Sequence, residues 1–197
     1  MINKKIIICA TVKNEAKNLK KFFEILENIR KGFNDYFLIF VENNSFDQTT
    51  TIIKNYLSLR KGCLISQEID EKFNRIKSLE VSRNKYLNYI RSNTYLLNYD
   101  YLLILDADGV NNKLNISKLS ESLNIKEDWT AIFASQKYYY DIFALRIPGY
   151  IENNYIEKIK EDINNKQKLP PKKIIEENLT KFLFFLNKFS ERFIKVK

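Results

Sequence analysis

The sequence predicts an α/β fold with a mostly parallel sheet flanked by helices. Short apolar runs alternate along the chain with longer stretches in which apolar residues recur every three or four positions, as in repeated βαβ units. The apolar runs are continuous, which is typical of strands covered on both faces. Right-handed crossovers bring the carboxyl ends of such strands to one edge of the sheet, and we expect a ligand to bind there.

The first part of the chain carries four predicted strands, at residues 5–12, 36–41, 62–67 and 101–105. We expect the first three to end in loops that open onto helices. The fourth, residues 101–105, is wholly apolar and is predicted to be buried on both faces.

Three helices are predicted between these strands. Asn14 is an N-cap candidate for the first, and Gly32 is expected to end it as a glycine following a helix commonly does. Ser45 and Gln48 have the S-x-x-Q form of a capping box, with Asp47 as a second cap candidate, so the second helix is expected to run to about residue 60. The third covers about residues 76–91.

The pattern changes beyond residue 112. Residues 129–135 and 138–145 predict two strands close enough in sequence to form a small antiparallel hairpin. From residue 150 the chain has the pattern of charged C-terminal helices, interrupted at Pro170 and Pro171. The last helix has an apolar stripe more typical of a core or docking face than of a membrane anchor, made of Leu179, Phe182, Leu186, Phe189 and Phe193. With no internal repeat and no linker, residues 1–197 predict a single domain.

Composition limits the chemistry. The chain has no histidine, which excludes His-dependent triads, the usual zinc hydrolase sites and any imidazole base. No apolar run is long enough to span a bilayer, and the first residues lack a signal-peptide pattern, so a cytoplasmic location is expected. Cys9 and Cys63 lie in apolar strands and are expected to be buried thiols; a disulfide would require the two strands to be neighbours.

The net charge of +9 has two interpretations. Lysines spread along helices mark solvated faces, which requires no partner. The alternative is an anionic partner surface, either a membrane or a polyanion. Peripheral contact with an anionic membrane therefore stays open.

The stretch YLLILDADGVNN at residues 101–112 carries the chemistry predicted for the sheet edge. In an extended backbone Asp106 and Asp108 point to the same side, with Ala107 pointing away. Two carboxylates so placed can hold a divalent cation that also binds a diphosphate. The alternative is that these aspartates only cap a turn into Gly109.

Four stretches in this order resemble the nucleotide-sugar glycosyltransferases of the GT-A fold, and among them the family-two-like enzymes. They are ATVKNEAKNL at 10–19, VENNSFDQT at 41–49, RN at 83–84 and LDADG at 105–109. With YYDIFALR at 139–146, the sequence more particularly resembles the fungal capsule mannosyltransferase and chlorovirus glycosyltransferase group. The resemblance covers about residues 5–146. It implies a nucleotide-binding part at 1–112, an acceptor-side part at 113–197, and transfer from a nucleoside-diphosphate sugar, with uridine favoured.

The resemblance also implies roles for residues at the sheet edge. Glu42 and the backbone near Thr11 would bind the base or ribose, and Arg83 would bind the nucleotide or its diphosphate, with Arg75 a weaker candidate of the same kind. Asp108 would bind Mn²⁺ or Mg²⁺ directly, with Asp106 touching ribose or a metal-bound water. The alternatives are that Glu42 only begins a turn and that Arg83 pairs with Glu80 on the helix surface.

On the acceptor side, Asp141 is the candidate for the carboxylate that deprotonates the acceptor hydroxyl or binds the acceptor. Tyr139 and Tyr140 would stack on sugar faces, and Arg146 lies close by in sequence. The alternative for Asp141 is an exposed ion pair with Arg146. The sequence departs from the family pattern in having no late histidine ligand and no glycine-rich C-terminal segment, which affects the expectation of catalysis more than that of nucleotide binding.

Three other functions compete with glycosyl transfer. A sugar nucleotidyltransferase would need a glycine-rich loop after the first strand, and residues 11–16 contain no glycine. A non-catalytic basic module would bind nucleic acid or anionic membrane with strong salt dependence, although no specific nucleic acid is expected. A pseudo-enzyme would bind the sugar nucleotide without turning it over.

Overall fold

The computed structural model describes residues 2–70, 72–125, 129–132 and 194–195. Within them, four parallel strands and one short antiparallel strand form a sheet in the order β3–β2–β1–β4–β5. The strands are β1 Ile2–Val12, β2 Phe33–Asn43, β3 Gly62–Gln67, β4 Tyr101–Asp106 and β5 Ile194–Lys195. The helices are α1 Ala16–Arg30, α2 Thr49–Leu57, α3 Arg75–Ser92 and α4 Ile116–Leu123, with a 3₁₀ turn at Leu96–Asn98. The predicted α/β class with a mostly parallel, helix-flanked sheet is confirmed.

Two hydrophobic clusters cover the two faces of the sheet. Alternate residues of β1 point to opposite faces, so Ile6 and Ile8 join one cluster while Ile7 and Cys9 join the other. Helices α1, α2 and α4 supply the first cluster, and α3 supplies the second. Because both faces are covered, the middle of each central strand is a continuous apolar run, at residues 6–10 of β1 and 37–41 of β2.

One residue of β4 departs from the predicted burial. Ile104 is 40% exposed, whereas the other apolar residues of the strand are buried. Strand β5 pairs with β4 only at Tyr101 and Leu102, so the pairing does not extend along β4 to Ile104.

The helix ends correct three sequence predictions. Asn14 is not the N-cap of α1, since Glu15 holds that position and Asn14 adopts a left-handed backbone with φ of 55°. The capping box at Ser45 and Gln48 does not form, because Gln48 is the N-cap of α2 and makes no side-chain cap. Helix α2 also ends at Leu57, before the predicted limit.

Gly32 follows α1 as predicted but not in a left-handed conformation, since Gly109 is the only glycine with positive φ among the described residues. A Cβ at Gly32 would overlap the side chain of Ile116, so close approach of α4 accounts for the glycine. Helix α4 itself was not predicted, although Asn115 caps it by accepting a hydrogen bond from the Lys118 backbone N–H.

The two cysteines are free thiols on strands that are not neighbours. Ile39 of β2 pairs with Cys9 on one side and with Cys63 on the other, so a whole strand separates the sulfur atoms. Burial raises the pKa of both thiols. The expectation of buried thiols is confirmed for Cys9, whereas Cys63 is only partly buried.

Several predictions concern the later part of the chain. The contacts divide the chain into two compact units, residues 1–131 with 193–197, and residues 132–192. Residues 129–132 do not form the predicted strand, and Trp129 instead stacks on Tyr101. The second hairpin strand and the C-terminal helices lie outside the described residues, and the single domain stays a prediction. None of the helices that the structure describes combines the length and apolar character required to cross a bilayer.

A charged cluster links α1 to α2 on one face of the sheet. The Glu27 carboxylate accepts hydrogen bonds from the Tyr56 hydroxyl at 2.9 Å and from Arg60 Nε at 2.6 Å, and it also pairs with Arg30. The bonds from Arg30, then those from Arg60 and Tyr56, lower the pKa of Glu27 to about 2. Phe23 stacks on Tyr56, and the Arg60 guanidinium lies over the Tyr56 ring in a cation–π contact.

This cluster predicts a pH-dependent contribution to stability. Because the folded-state pKa of Glu27 lies below its ordinary value of 4.5, its contribution is present above pH 4.5 and is lost as the pH falls toward about 2. The difference in free energy of unfolding between wild type and Glu27→Gln should therefore shrink between about pH 6 and about pH 3, measured by urea unfolding. Glu24→Gln, which removes a long ion pair with Lys21 on the same helix, should have little effect at either pH. An equal Glu27→Gln difference at both pH values contradicts the prediction.

Gly62 is expected to tolerate a side chain less well than Gly32. A Cβ at Gly62 would lie 2.5 Å from the Leu38 carbonyl oxygen, a backbone atom that cannot move aside. The closest atoms to a Cβ at Gly32 belong instead to the Ile116 side chain, and the nearest backbone atom, the Ile29 carbonyl oxygen, is 3.2 Å away. Gly62→Ala should lower the free energy of unfolding by about 1–3 kcal/mol, and Gly32→Ala by less. Replacing Ile116 by Ala should offset part of the Gly32→Ala loss in denaturant unfolding. A Gly62→Ala variant as stable as wild type would be inconsistent with this packing.

Candidate functional site

The strand register brings three of the predicted site residues, Thr11, Glu42 and Asp106, to one edge of the sheet. Thr11 pairs with Val41 on one side and with Asp106 on the other, and the next residue, Val12, pairs with Glu42. Asp106 and Glu42 are therefore aligned with adjacent residues of β1, and the carboxyl ends of the three strands lie side by side. This confirms that the three acidic or polar strand ends lie together, as the parallel sheet predicted.

The loops after β1 and β2 hold each other through reciprocal hydrogen bonds. The Asn14 backbone N–H donates to Ser45 Oγ at 3.0 Å, and Asn14 Oδ1 accepts from the Phe46 N–H at 3.0 Å. Asn14 and Asn44 both have positive φ, a conformation that asparagine tolerates better than most residues. Ser45 thus serves the neighbouring loop rather than its own helix.

Asp47 satisfies the beginnings of two helices at once. Its carboxylate accepts from the Ala16 N–H at 3.1 Å and from the Thr49 N–H at 2.9 Å, and the Glu15 N–H donates to Thr49 Oγ1 at 2.8 Å. Hydrogen bonds from the Thr49 side chain, and then from these backbone groups, lower the pKa of Asp47. The sequence predicts Asp47 as a cap candidate for α2 but not its cap on α1, because the residue spacing within one loop does not show a partner 31 residues away.

Glu42 is a buried carboxylate at the carboxyl end of β2. Only 5% of the residue is exposed, and its Oε1 accepts from the Ser45 N–H at 2.6 Å. Its second oxygen has no hydrogen-bond partner among the residues described here. Glu42 therefore takes part in the turn, as the alternative interpretation held, and its role toward a base or ribose stays a prediction.

Asp106 and Asp108 lie on either side of the point where β4 ends. The strand stops at Asp106, and residues 107–113 form turns, so the alternation expected of an extended backbone does not apply to Asp108. Asp108 is exposed, and its Oδ1 accepts from the Val110 N–H at 3.2 Å. Gly109 follows with φ of 93°, which only glycine adopts readily. The turn role held as the alternative is therefore present, and metal binding stays a prediction.

Arg83 faces Asp106 across the sheet edge. Its terminal nitrogen lies 3.9 Å from Asp106 Oδ1, and the two side chains are 47% and 42% exposed. The alternative pairing with Glu80 is wrong, since Glu80 pairs with Lys77 at 3.0 Å. The structure thus brings together two residues, 23 positions apart, that the sequence analysis had assigned to the same ligand. Arg75 lies at the first position of the same helix and is exposed.

A buried polar network next to Arg83 was missed by the sequence analysis. Ser82, which is fully buried, accepts from Asn43 Nδ2 at 2.7 Å and from Gln67 Nε2 at 3.2 Å. Gln67 Nε2 also donates to Asn43 Oδ1 at 2.7 Å, and Ser82 Oγ donates to the Ser78 carbonyl at 2.6 Å. The network joins the carboxyl ends of β2 and β3 to α3. In the sequence, the polar residues Asn43 and Gln67 at the ends of β2 and β3 could have indicated such a network. Nothing in the sequence marks Ser82 as their partner.

The remaining predicted site residues, Asp141, Tyr139, Tyr140 and Arg146, lie outside the described residues. Their roles stay predictions. Within residues 2–70, 72–125, 129–132 and 194–195, no three His, Cys, Asp or Glu side chains group closely enough to hold a metal ion by themselves.

Comparison with known proteins gave one family and several solved structures. The model of the family described as Glycosyl transferase family 2 matches residues 7–184. A crystal structure of S. aureus TarS 1-349 is similar, with 16% sequence identity and a TM-score of 0.49, over 77% of this chain and 43% of that one. The crystal structure of S. aureus TarS 1-349 in complex with UDP-GlcNAc is similar with 15% sequence identity and a TM-score of 0.47, over 72% of this chain and 38% of that one. The crystal structure of the same protein in complex with UDP is similar with 14% sequence identity and a TM-score of 0.42, over 84% of this chain and 50% of that one.

The chain thus spans no more than half the length of these TarS structures. A search of the curated proteins gave no match.

The network around Ser82 should be important for stability. Ser82→Ala leaves the Asn43 amide donor buried without its partner, which should lower the free energy of unfolding by about 1–3 kcal/mol. Ser92→Ala is the matched control, because Ser92 lies on the same helix and its hydroxyl makes only exposed bonds, donating to the Tyr89 carbonyl and accepting from Asn93 Nδ2. Denaturant unfolding should show little change for that variant. Equal losses for the two serines would mean that the network does not stabilise α3.

Proposed function

Since this chain belongs to glycosyl transferase family 2, we propose that it transfers a sugar from a nucleoside-diphosphate sugar, with uridine as the favoured base, to a hydroxyl group of a glycan or other acceptor. The family assignment agrees with the resemblance to family-two-like glycosyltransferases and with the GT-A class of α/β fold. The narrower resemblance to the fungal capsule and chlorovirus group stays a prediction. The observation that carries the proposal is the register that aligns Thr11, Glu42 and Asp106 at one edge of the sheet.

The base or ribose would bind at the ends of β1 and β2. Glu42 is held in place by the Ser45 N–H, and its second oxygen has no partner among the described residues. A buried carboxylate oxygen without a hydrogen bond is costly, and a uracil N–H or ribose hydroxyl would satisfy it. The backbone near Thr11 would serve the remaining polar groups of the base.

The diphosphate would bind between α3 and the end of β4. Arg83 supports this assignment, since its guanidinium already lies at the sheet edge and forks of this kind match phosphate oxygens well. The network around Ser82 keeps the helix that carries Arg83 at the ends of β2 and β3.

Asp106 and Asp108 fit Mn²⁺ or Mg²⁺ as the metal. These ions commonly bind to one or two protein carboxylates, with water and substrate phosphates as the remaining ligands. Two aspartates are therefore enough protein ligands for such an ion. Both side chains reach solvent, since Asp108 is exposed and the side chain of Asp106 is 42% exposed. When bound, the ion would offset the charge that develops on the leaving diphosphate.

On the acceptor side, Asp141 would take the proton from the attacking hydroxyl as the new glycosidic bond forms. Tyr139, Tyr140 and Arg146 would contact the acceptor or the transferred sugar. Contact with an anionic membrane, which the net charge of +9 supports, is part of the same proposal, and no specific nucleic acid partner is expected.

The test is calorimetric binding of UDP to the full chain with Mn²⁺ and with a chelator. Binding should require the metal, and Asp108→Ala should reduce the affinity at least roughly tenfold, the factor that corresponds to about 1.4 kcal/mol. Asp70→Ala is the matched control, because Asp70 is exposed and its carboxylate accepts from the Lys72 N–H, just as Asp108 accepts from Val110. That variant should bind UDP as the wild type does.

Two results would count against the proposal. UDP binding that is unchanged by chelator and by Asp108→Ala would remove the metal assignment. Binding only to anionic vesicles or nucleic acid, falling steeply with salt and indifferent to UDP, would favour the basic module instead.

A further inference from the structure

We propose that Arg83 and the divalent cation compete for Asp106. A diphosphate that binds Arg83 would displace it from Asp106 and so allow the cation to bind this carboxylate. The inference rests on the proposed function and adds a regulatory property to the same site. It makes Arg83 more than a phosphate ligand, since the residue would also keep the cation affinity of the free protein low.

The first support is the geometry of the Arg83–Asp106 contact. At 3.9 Å the nitrogen and oxygen are too far apart for a hydrogen bond, so the attraction is electrostatic alone. Both side chains are nearly half exposed, and pairs of this kind contribute little to stability. A ligand that offers either group a better partner can therefore displace the contact.

The second support is that only the side chain of Arg83 is free to respond. Ser82, the preceding residue, is fully buried and bonded to Asn43, Gln67 and Ser78. The backbone of α3 is thus fixed at the sheet edge. Exchange of partners would be a rotation of the exposed Arg83 side chain from Asp106 to a phosphate, with no movement of the helix.

The third support is the order of interaction strengths. A guanidinium facing Asp106 repels a cation that approaches the same carboxylate. Phosphate oxygens accept two parallel hydrogen bonds from a guanidinium and form a stronger contact than a carboxylate at 3.9 Å. Diphosphate binding would then remove the repulsion and add phosphate ligands for the metal. Nucleotide and cation binding become linked, and the linkage is reciprocal.

The experiment measures Mn²⁺ binding to the full chain without nucleotide, from the EPR signal of the free ion. Arg83→Gln should bind Mn²⁺ roughly three- to tenfold more tightly than wild type, since it removes one positive charge beside the site. Arg91→Gln, on the same helix and exposed, removes the same charge elsewhere and should leave the affinity unchanged. In an Asp106→Asn background, Arg83→Gln should no longer raise the affinity.

A second titration with UDP present separates this inference from the proposed function. Wild type should gain more Mn²⁺ affinity from UDP than Arg83→Gln does. If wild type binds Mn²⁺ with UDP but Arg83→Gln binds Mn²⁺ alone no better than wild type, or not at all, the exchange is wrong and the proposed function stands. If no variant binds Mn²⁺ even with UDP, the metal assignment of the proposed function fails, and the exchange fails with it. Arg83 is exposed, so its replacement should leave the unfolding midpoint unchanged and the comparison valid.

Discussion

The rest of the structure depends on the pairing of β1 with a parallel strand on each side. Nine residues of β1 pair with β2 and six with β4, so the register of this strand sets the position of both neighbours. Side chains alternate between faces, and a shift of one residue would turn Ile6 and Ile8 out of one hydrophobic cluster and into the other. Core packing therefore fixes the register, and the register in turn aligns the polar strand ends.

Hydrogen bonds between loops replace the local caps that helices commonly use. Helix α1 has no cap from its own N-cap residue and depends on Asp47, which belongs to the loop before α2. In the same way, Asn14 and Ser45 each serve the backbone of the other's loop. The loops at the sheet edge are consequently fixed to each other as well as to their strands, which is the preorganisation that a ligand-binding edge requires.

The acidic residues of the edge lie in two environments that suit two tasks. Glu42 is buried and fixed by a backbone N–H, so it can present one oxygen to a ligand without rearranging. Asp108 is exposed, and the side chain of Asp106 is 42% exposed with the Arg83 guanidinium 3.9 Å away. Solvated carboxylates can exchange partners at low cost, as a transiently bound cation demands, whereas a buried carboxylate favours a fixed geometry.

The amino-acid sequence is enough to predict the sheet, because continuous apolar runs separated by periodic stretches have few other ways to bury their surface. It also determined which strand ends carry acids, since that follows from where each run stops. The contacts between polar side chains depend instead on the fold, which pairs Asp47 with Ala16, Ser82 with Asn43 and Gln67, and Arg83 with Asp106 rather than Glu80. These contacts join residues 15 to 39 positions apart, and a hydrogen bond or ion pair between distant residues leaves no periodic trace in the chain.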